Sequence, residues 1–193
     1  MAKLYFHYGA MSCGKSSSLL QVKHNYEERG MKVILWAPSI DDRAGAGIVK
    51  SRIGLESKAL IFNDRTNFFV DMVGIRKSRY SCVIIDEAQF LTKSHVLQLA
   101  RIVDEFEIPV MCYGLRTDFR GELFEGSKAL MQYADDIIEH KTICFCGSKA
   151  TMTVRYIDGK ATRVGEQVLI GDQEYQPMCR KHYMEAVNKQ YEA

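Results

Sequence analysis

Gly9-Ala10-Met11-Ser12-Cys13-Gly14-Lys15-Ser16 fits the pattern GxxxxGK[ST], and its setting decides the fold. Upstream, residues 4–8 form an aromatic and aliphatic run that reads as a buried strand. Downstream, Leu19, Leu20, Val22 and Tyr26 recur on one face of a helix expected over 16–29, with Gly30 as its stop. A glycine loop between strand and helix aims backbone N–H groups at phosphates beside a helix N-terminus. Lys15 would offset charge on the β- and γ-phosphates, and the Ser16 hydroxyl would ligate magnesium.

Outward from this loop, apolar runs at 33–36, 59–62, 82–85 and 110–113 read as strands. Val96, Leu99, Ala100, Val103 and Phe106 predict a helix over 94–106. Alternation of strand and helix to about residue 140 predicts an α/β fold of the P-loop NTPase type, a mostly parallel sheet covered by helices. Residues 39–54, rich in Asp and Gly, read as a mobile loop. The pattern changes over 142–183, where cysteines, short alternating runs and Asp158-Gly159 predict a small antiparallel β appendage. A piece of that size is expected to lack its own core and to need a staple. The expected organisation is an ATP-binding part over 1–140 and a stapled part over 141–193. Residues 184–193 read as a short helix or a loose tail.

The chain has 193 residues, 47% of them hydrophobic, and a formal net charge of only +2. That gives no electrostatic case for nucleic acid as a partner. No apolar run approaches the roughly 20 residues of a membrane helix, and no leader pattern precedes the first strand. A cytoplasmic location is the expectation, with the six cysteines as thiols or metal ligands.

Val83-Ile84-Ile85-Asp86-Glu87 is an apolar strand ending in two carboxylates, the acidic partner a phosphate loop requires. Neighbouring strand residues face opposite ways, so the two acids should have separate roles. Asp86 suits the magnesium shell, and Glu87 suits proton acceptance from an attacking hydroxyl. These motifs fit either a small-molecule kinase or an ATP-hydrolysing switch or motor. Cys144-Phe145-Cys146 and Cys179-Arg180-Lys181-His182 offer three thiolates and one imidazole, a closed structural zinc set. Free or redox-active thiols are the alternative. Cys13, Cys82 and Cys112 read as small apolar packing, and His7, His24, His95 and His140 suggest no role.

The loop, the box Asp86-Glu87-Ala88-Gln89-Phe90, the stretch Gly114-Leu115-Arg116-Thr117-Asp118-Phe119 with nearby Phe124, and the zinc pairs occur in this order. Together they resemble the type II thymidine kinases, zinc-containing deoxynucleoside kinases, in their bacterial and phage branch. The resemblance implies transfer of the ATP γ-phosphate to the 5′-hydroxyl of thymidine and deoxyuridine, giving dTMP and ADP for DNA precursor synthesis. It places ATP and Mg2+ on residues 9–16, Asp41, Arg43, Asp86, Glu87, Ala88 and Gln89, with Glu87 as catalytic base. It places the nucleoside against Met11, Phe90, Leu115, Phe119, Phe124 and Tyr175. Leu169, Ile170, Gly171 and Asp172 match a lasso whose main chain holds the base edge, with one glycine fewer than the common pattern. Structural Zn2+, a homotetramer and feedback inhibition by dTTP are also implied.

Overall fold

The computed structural model describes residues 1–40, 45–75, 80–168 and 174–188. Strand β1 (Leu4–Gly9) leads through the glycine loop into helix α1 (Lys15–Glu28), then β2 (Lys32–Pro38). Strands β3 (Ile48–Lys50) and β4 (Glu56–Lys58) form a hairpin before β5 (Leu60–Phe62) and α2 (Phe68–Ile75). Strand β6 (Tyr80–Ile85), α3 (Lys93–Phe106), β7 (Val110–Leu115), α4 (Glu125–Tyr133) and β8 (Asp136–His140) follow. The order β5-β2-β6-β7-β1-β8 makes a six-stranded sheet whose pairings are all parallel, in line with the α/β expectation.

Side-chain alternation explains why both faces are covered. Ile34, Trp36, Val83 and Ile85 point into a large cluster closed by Phe68, Met72, Val96, Leu99 and Leu130 from α2, α3 and α4. Val33, Leu35, Cys82 and Ile84 point the other way, against Leu19 and Leu20 of α1. Helix α3 starts where Thr92 Oγ1 accepts from the His95 N–H at 3.2 Å and the His95 ring accepts from the Thr92 N–H. A capping role for His95 explains a histidine that suggested no function.

The region expected as a mobile loop over 39–54 contains β3, which pairs with β4. Gly45, Gly47 and Gly54 adopt positive φ around the hairpin, so the glycines serve turns. Helices α2 and α4 and strand β8 had no counterpart in the sequence reading.

Strands β9 (Thr142–Ile143) and β10 (Lys149–Ala150) form a hairpin. Strands β11 (Met152–Ile157), β12 (Lys160–Thr162) and β13 (Glu174–Met178) form an antiparallel sheet in the order β12-β11-β13. Helix α5 (Arg180–Asn188) then begins four residues before the expected short helix over 184–193. Contrary to expectation this region has a core: Cys144, Ala150, Val154, Ala161, Met178, Tyr183 and Val187 are buried together. It is small because few strands contribute one inward face each. One proposed zinc ligand, Cys144, lies within it.

Candidate active site and metal centre

The C-terminal ends of β1, β6 and β7 converge on a cavity of about 790 Å3, at the edge where open parallel sheets bind ligands. Met11, Ser12, Cys13, Gly14, Lys15 and Ser16 line one end. Ser12 and Gly14 take left-handed φ of 60° and 80°, which curls the loop so that α1 starts beneath it. At Gly14 a Cβ would meet nothing within 4 Å, so glycine is needed there for its backbone angle. The Lys15 ammonium lies across the loop, donating to the Ala10 carbonyl at 2.9 Å and to Cys13 Sγ at 3.4 Å. Cys13 is therefore a half-exposed partner of Lys15, which corrects its reading as apolar packing. Cys82 and Cys112 are buried as expected, and burial pushes the Cys82 thiol up to about 12.

Asp86 follows β6, is 7% exposed, and is fixed by donation from its N–H to the Trp36 carbonyl at 2.9 Å. Glu87 then takes a left-handed φ of 47°, a costly conformation for a non-glycine residue. The two carboxylates thus separate through a sharp turn after the strand, and both line the cavity. Gln89 explains how Glu87 is held: its Nε2 donates to Glu87 Oε2, and its Oε1 accepts from the Leu115 N–H at 2.9 Å. Both ends of this side chain are engaged within the protein. Ala88 sits in the large core beneath the cavity. Gly9 and Ala10 support the loop rather than line the cavity, Ala10 through its carbonyl.

The opposite end is apolar. Phe90 meets Phe124 edge-on at 6.1 Å, and Leu115, Phe119 and Tyr175 complete the wall. All the proposed base-pocket residues within the described part reach this one cavity, Met11 included. Asp41, Arg43, Leu169, Ile170, Gly171 and Asp172 lie outside the described residues. The sequence reading missed Thr117, Asp118, Thr153, Gln167 and Val168, which also line it, as do Ile48 to Ile53 from the β3–β4 hairpin. Asp118 lay inside a quoted motif. Thr153 and Gln167 lay in short alternating runs that carry no chemical signature.

Below the loop, His7 Nδ1 and His140 Nε2 lie 3.1 Å apart, and the His7 ring stacks on Tyr113 at 4.3 Å. Burial, then the neighbouring His140, pushes His7 down to about 4. Burial and the Lys15 charge also lower His140. These histidines therefore form a pair beneath the phosphate loop.

Cys144, Cys146, Cys179 and His182 bring one ligand atom each to within 4.8 Å of one another. His182 Nδ1 is 3.4 Å from Cys144 Sγ and 3.3 Å from Cys179 Sγ, and Cys146 lies 4.0 Å from Cys179. Tetrahedral zinc, with Zn–S of ~2.3 Å and Zn–N of ~2.0 Å, spaces its ligands about 3.5–3.8 Å apart, so the set fits. The tight first pair is accommodated by a turn in which the Gly147 N–H donates to the Cys144 carbonyl at 2.8 Å. Against the effect of its burial, the Cys146 and Cys179 backbone N–H groups and the His182 ring hold the Cys144 thiol down to about 6. That favours the thiolate a metal requires.

A glycine loop after β1 of a parallel sheet, with carboxylates at the end of β6, the strand next but one to it, defines a P-loop nucleotide-binding protein. The family model described as "Thymidine kinase" matches residues 2–183. Thymidine kinase of Salmonella choleraesuis is 52% identical, covering 98% of this chain and 94% of that protein. The proteins of that name from Escherichia coli O157:H7 and K12 are 52% identical, covering 97% and 93%. The chain belongs to the thymidine kinase family. Among solved structures, Pif1 helicase from Candida albicans aligns with a TM-score of 0.44 at 16% identity, covering 74% of this chain and 36% of that one. A likeness that weak carries no argument.

Proposed function

We propose that this chain is an ATP-dependent thymidine kinase, transferring the γ-phosphate to the 5′-hydroxyl of thymidine or deoxyuridine. The observation that carries the reading is a single cavity with the phosphate loop at one end, an apolar aromatic wall at the other, and Glu87 among its lining. Glu87 accepts the proton of the 5′-hydroxyl as its oxygen attacks phosphorus in line. Lys15 and the loop amides hold the phosphates and offset the charge that develops on them, with Arg43 as a further partner. Asp86 and Ser16 would hold magnesium, which supplies neutralisation of the β- and γ-phosphates when bound. The Phe90, Leu115, Phe119 and Phe124 wall and Tyr175 seat the base, and the family relationship supports the main chain of 169–172 as a further partner of its edge. Loop closure with the β3–β4 hairpin excludes water that would otherwise hydrolyse ATP.

Zinc held by Cys144, Cys146, Cys179 and His182 is structural, since four protein ligands leave no open position. The division into 1–140 and 141–193 is supported by the end of the last parallel strand at His140 and by the separate small core beyond it. The family relationship supports a homotetramer, feedback inhibition by dTTP and a role in deoxynucleotide salvage in the cytoplasm. Among the described residues no helix is long and apolar enough to cross a membrane. The deciding test incubates γ-labelled ATP and Mg2+ with each deoxynucleoside. Label in dTMP and dUMP is expected; label in neither, with ATP turnover dependent on DNA, would reject the kinase in favour of a nucleic-acid-driven ATPase.

A further inference from the structure

Arg155 projects from β11 into the interior and is 0% exposed. A buried charge normally requires an ionic partner. Among the described residues Arg155 instead donates to two main-chain carbonyls, Glu166 O from Nη1 at 2.8 Å and Val164 O from Nη2 at 2.6 Å. Its guanidinium lies over the Phe119 ring at 3.6 Å. Phe119 lines the cavity and Arg155 does not, so the guanidinium backs the ring from outside the site.

The strap 164–168 is shaped around this group. Gly165 has a φ of 117°, and a Cβ there would lie 2.4 Å from Arg155 Nη2. Two residues further on, Gln167 Nε2 donates to Asp118 Oδ2 at 3.0 Å. The other oxygen of Asp118 accepts from the Arg120 and Glu122 N–H groups at 2.9 and 3.0 Å, fixing the turn that carries Phe119. Tyr183 adds a third tie by donating to the Phe119 carbonyl at 2.9 Å.

We propose that Arg155 is a positioning residue for nucleoside binding. It clips the strap 164–168 to the back of Phe119, so that strap and ring form one preset wall of the base end, with Gln167–Asp118 as the second clasp. A planar guanidinium suits this task because it offers two parallel donors and a flat face at once; a lysine offers only a point charge. The inference rests on the thymidine kinase reading for its kinetic test and on exchange rates alone for its structural one.

Arg155→Met keeps the bulk over Phe119 and removes both donors. It should raise the thymidine KM about tenfold or more, with the ATP KM within about twofold, because hydrogen bonds from a charged donor are worth that much. Arg155→Lys should recover part of the loss. Gly165→Ala, which removes no donor, should give the same KM pattern, and the double variant should be less than additive. Amide hydrogen exchange on the zinc-loaded proteins should quicken in both 117–122 and 164–168 for Arg155→Met. Unchanged exchange in 117–122, or a lowered melting temperature with thymidine KM unaltered, overturns the clip. Should the wild-type chain phosphorylate no nucleoside, the functional reading fails, while the exchange result still decides the clip either way.

Discussion

The two ends of the cavity are built in opposite ways. At the phosphate end the wall is one unbroken stretch, Met11 to Ser17, resting on a six-stranded sheet with a large core on each face. At the base end the wall is collected from Leu115 at the end of β7, Phe119 beyond it, Thr153 on β11, Gln167 and Tyr175. These last elements share a core of seven buried residues. Phosphate recognition needs only backbone amides and one lysine, which a short local motif can supply. Base recognition needs a shaped surface, and the proposed base wall draws on a small unit with a core of its own. Unequal local stability follows, with the base end the first to open.

Removing zinc is the strongest way to break the pair apart. Apparent zinc-binding free energies of ~10–16 kcal/mol in small domains exceed what so small a core can add. A chelator, or Cys144→Ser, should therefore lower thymidine phosphorylation by about a thousandfold or more. Binding of an ATP analogue and the far-UV signal of the parallel sheet should persist. Thymidine turnover that survives metal-free dialysis would show that the base end stands without its staple.

Glu87→Gln tests the point where the two ends meet. Loss of the proton acceptor should lower kcat by about a hundredfold or more, with both substrate affinities kept. Isothermal titration against thymidine and an ATP analogue, beside turnover, separates the two quantities. Near-normal turnover would assign proton acceptance to another group.

The same contrast explains what the sequence made legible. The lining of the phosphate end could be read because it comes from consecutive residues: Met11 to Ser16, then Asp86 and Glu87 at a strand end. The cluster of Cys144, Cys146, Cys179 and His182 could be read because two chelating pairs are short-range signals. Phe119 and Phe124 were found only through the motif that contains them, since an aromatic wall and an aromatic core have the same composition. Arg155 and Gln167 could not be found, because their partners are carbonyls and a carboxylate brought together by the tertiary fold. Strand β8 was missed for a related reason. It is an edge strand, and Ile137 and Ile138 are more than a third exposed, so it lacks the continuous apolar run of a central strand.

Gln89→Leu probes the joint between the ends more gently. It removes one donor to the Glu87 carboxylate on one side and strips the acceptor from the Leu115 N–H on the other. A hydrogen bond to a charged group is worth about 1.5–3 kcal/mol, so losing the one to Glu87 should lower kcat about tenfold while the ATP KM changes little. An unaltered kcat would mean that the Gln89 amide is not what orients the carboxylate.

The smallest effect concerns acid, and it acts on the phosphate end. His7 titrates near 4 in the folded chain because burial and then His140 oppose its charge, against ~6.5 when unfolded. As pH falls below ~6.5 the unfolded chain takes up the proton first, so stability is intact above that pH and is lost progressively down to about 4. His7→Phe keeps a ring against Tyr113 but cannot titrate. Its melting temperature should fall less than that of the wild type between those limits. With His7 only half-buried, solvent screening trims the contribution to about 1–2 kcal/mol, or about 3–6 °C for a chain of this size. Some acid sensitivity should remain in the variant, since burial and the Lys15 charge also lower His140. Parallel melting curves for the two proteins would mean that His7 is charged in the folded state. Acid would then no longer distinguish the phosphate end from the base end, which chelation opens.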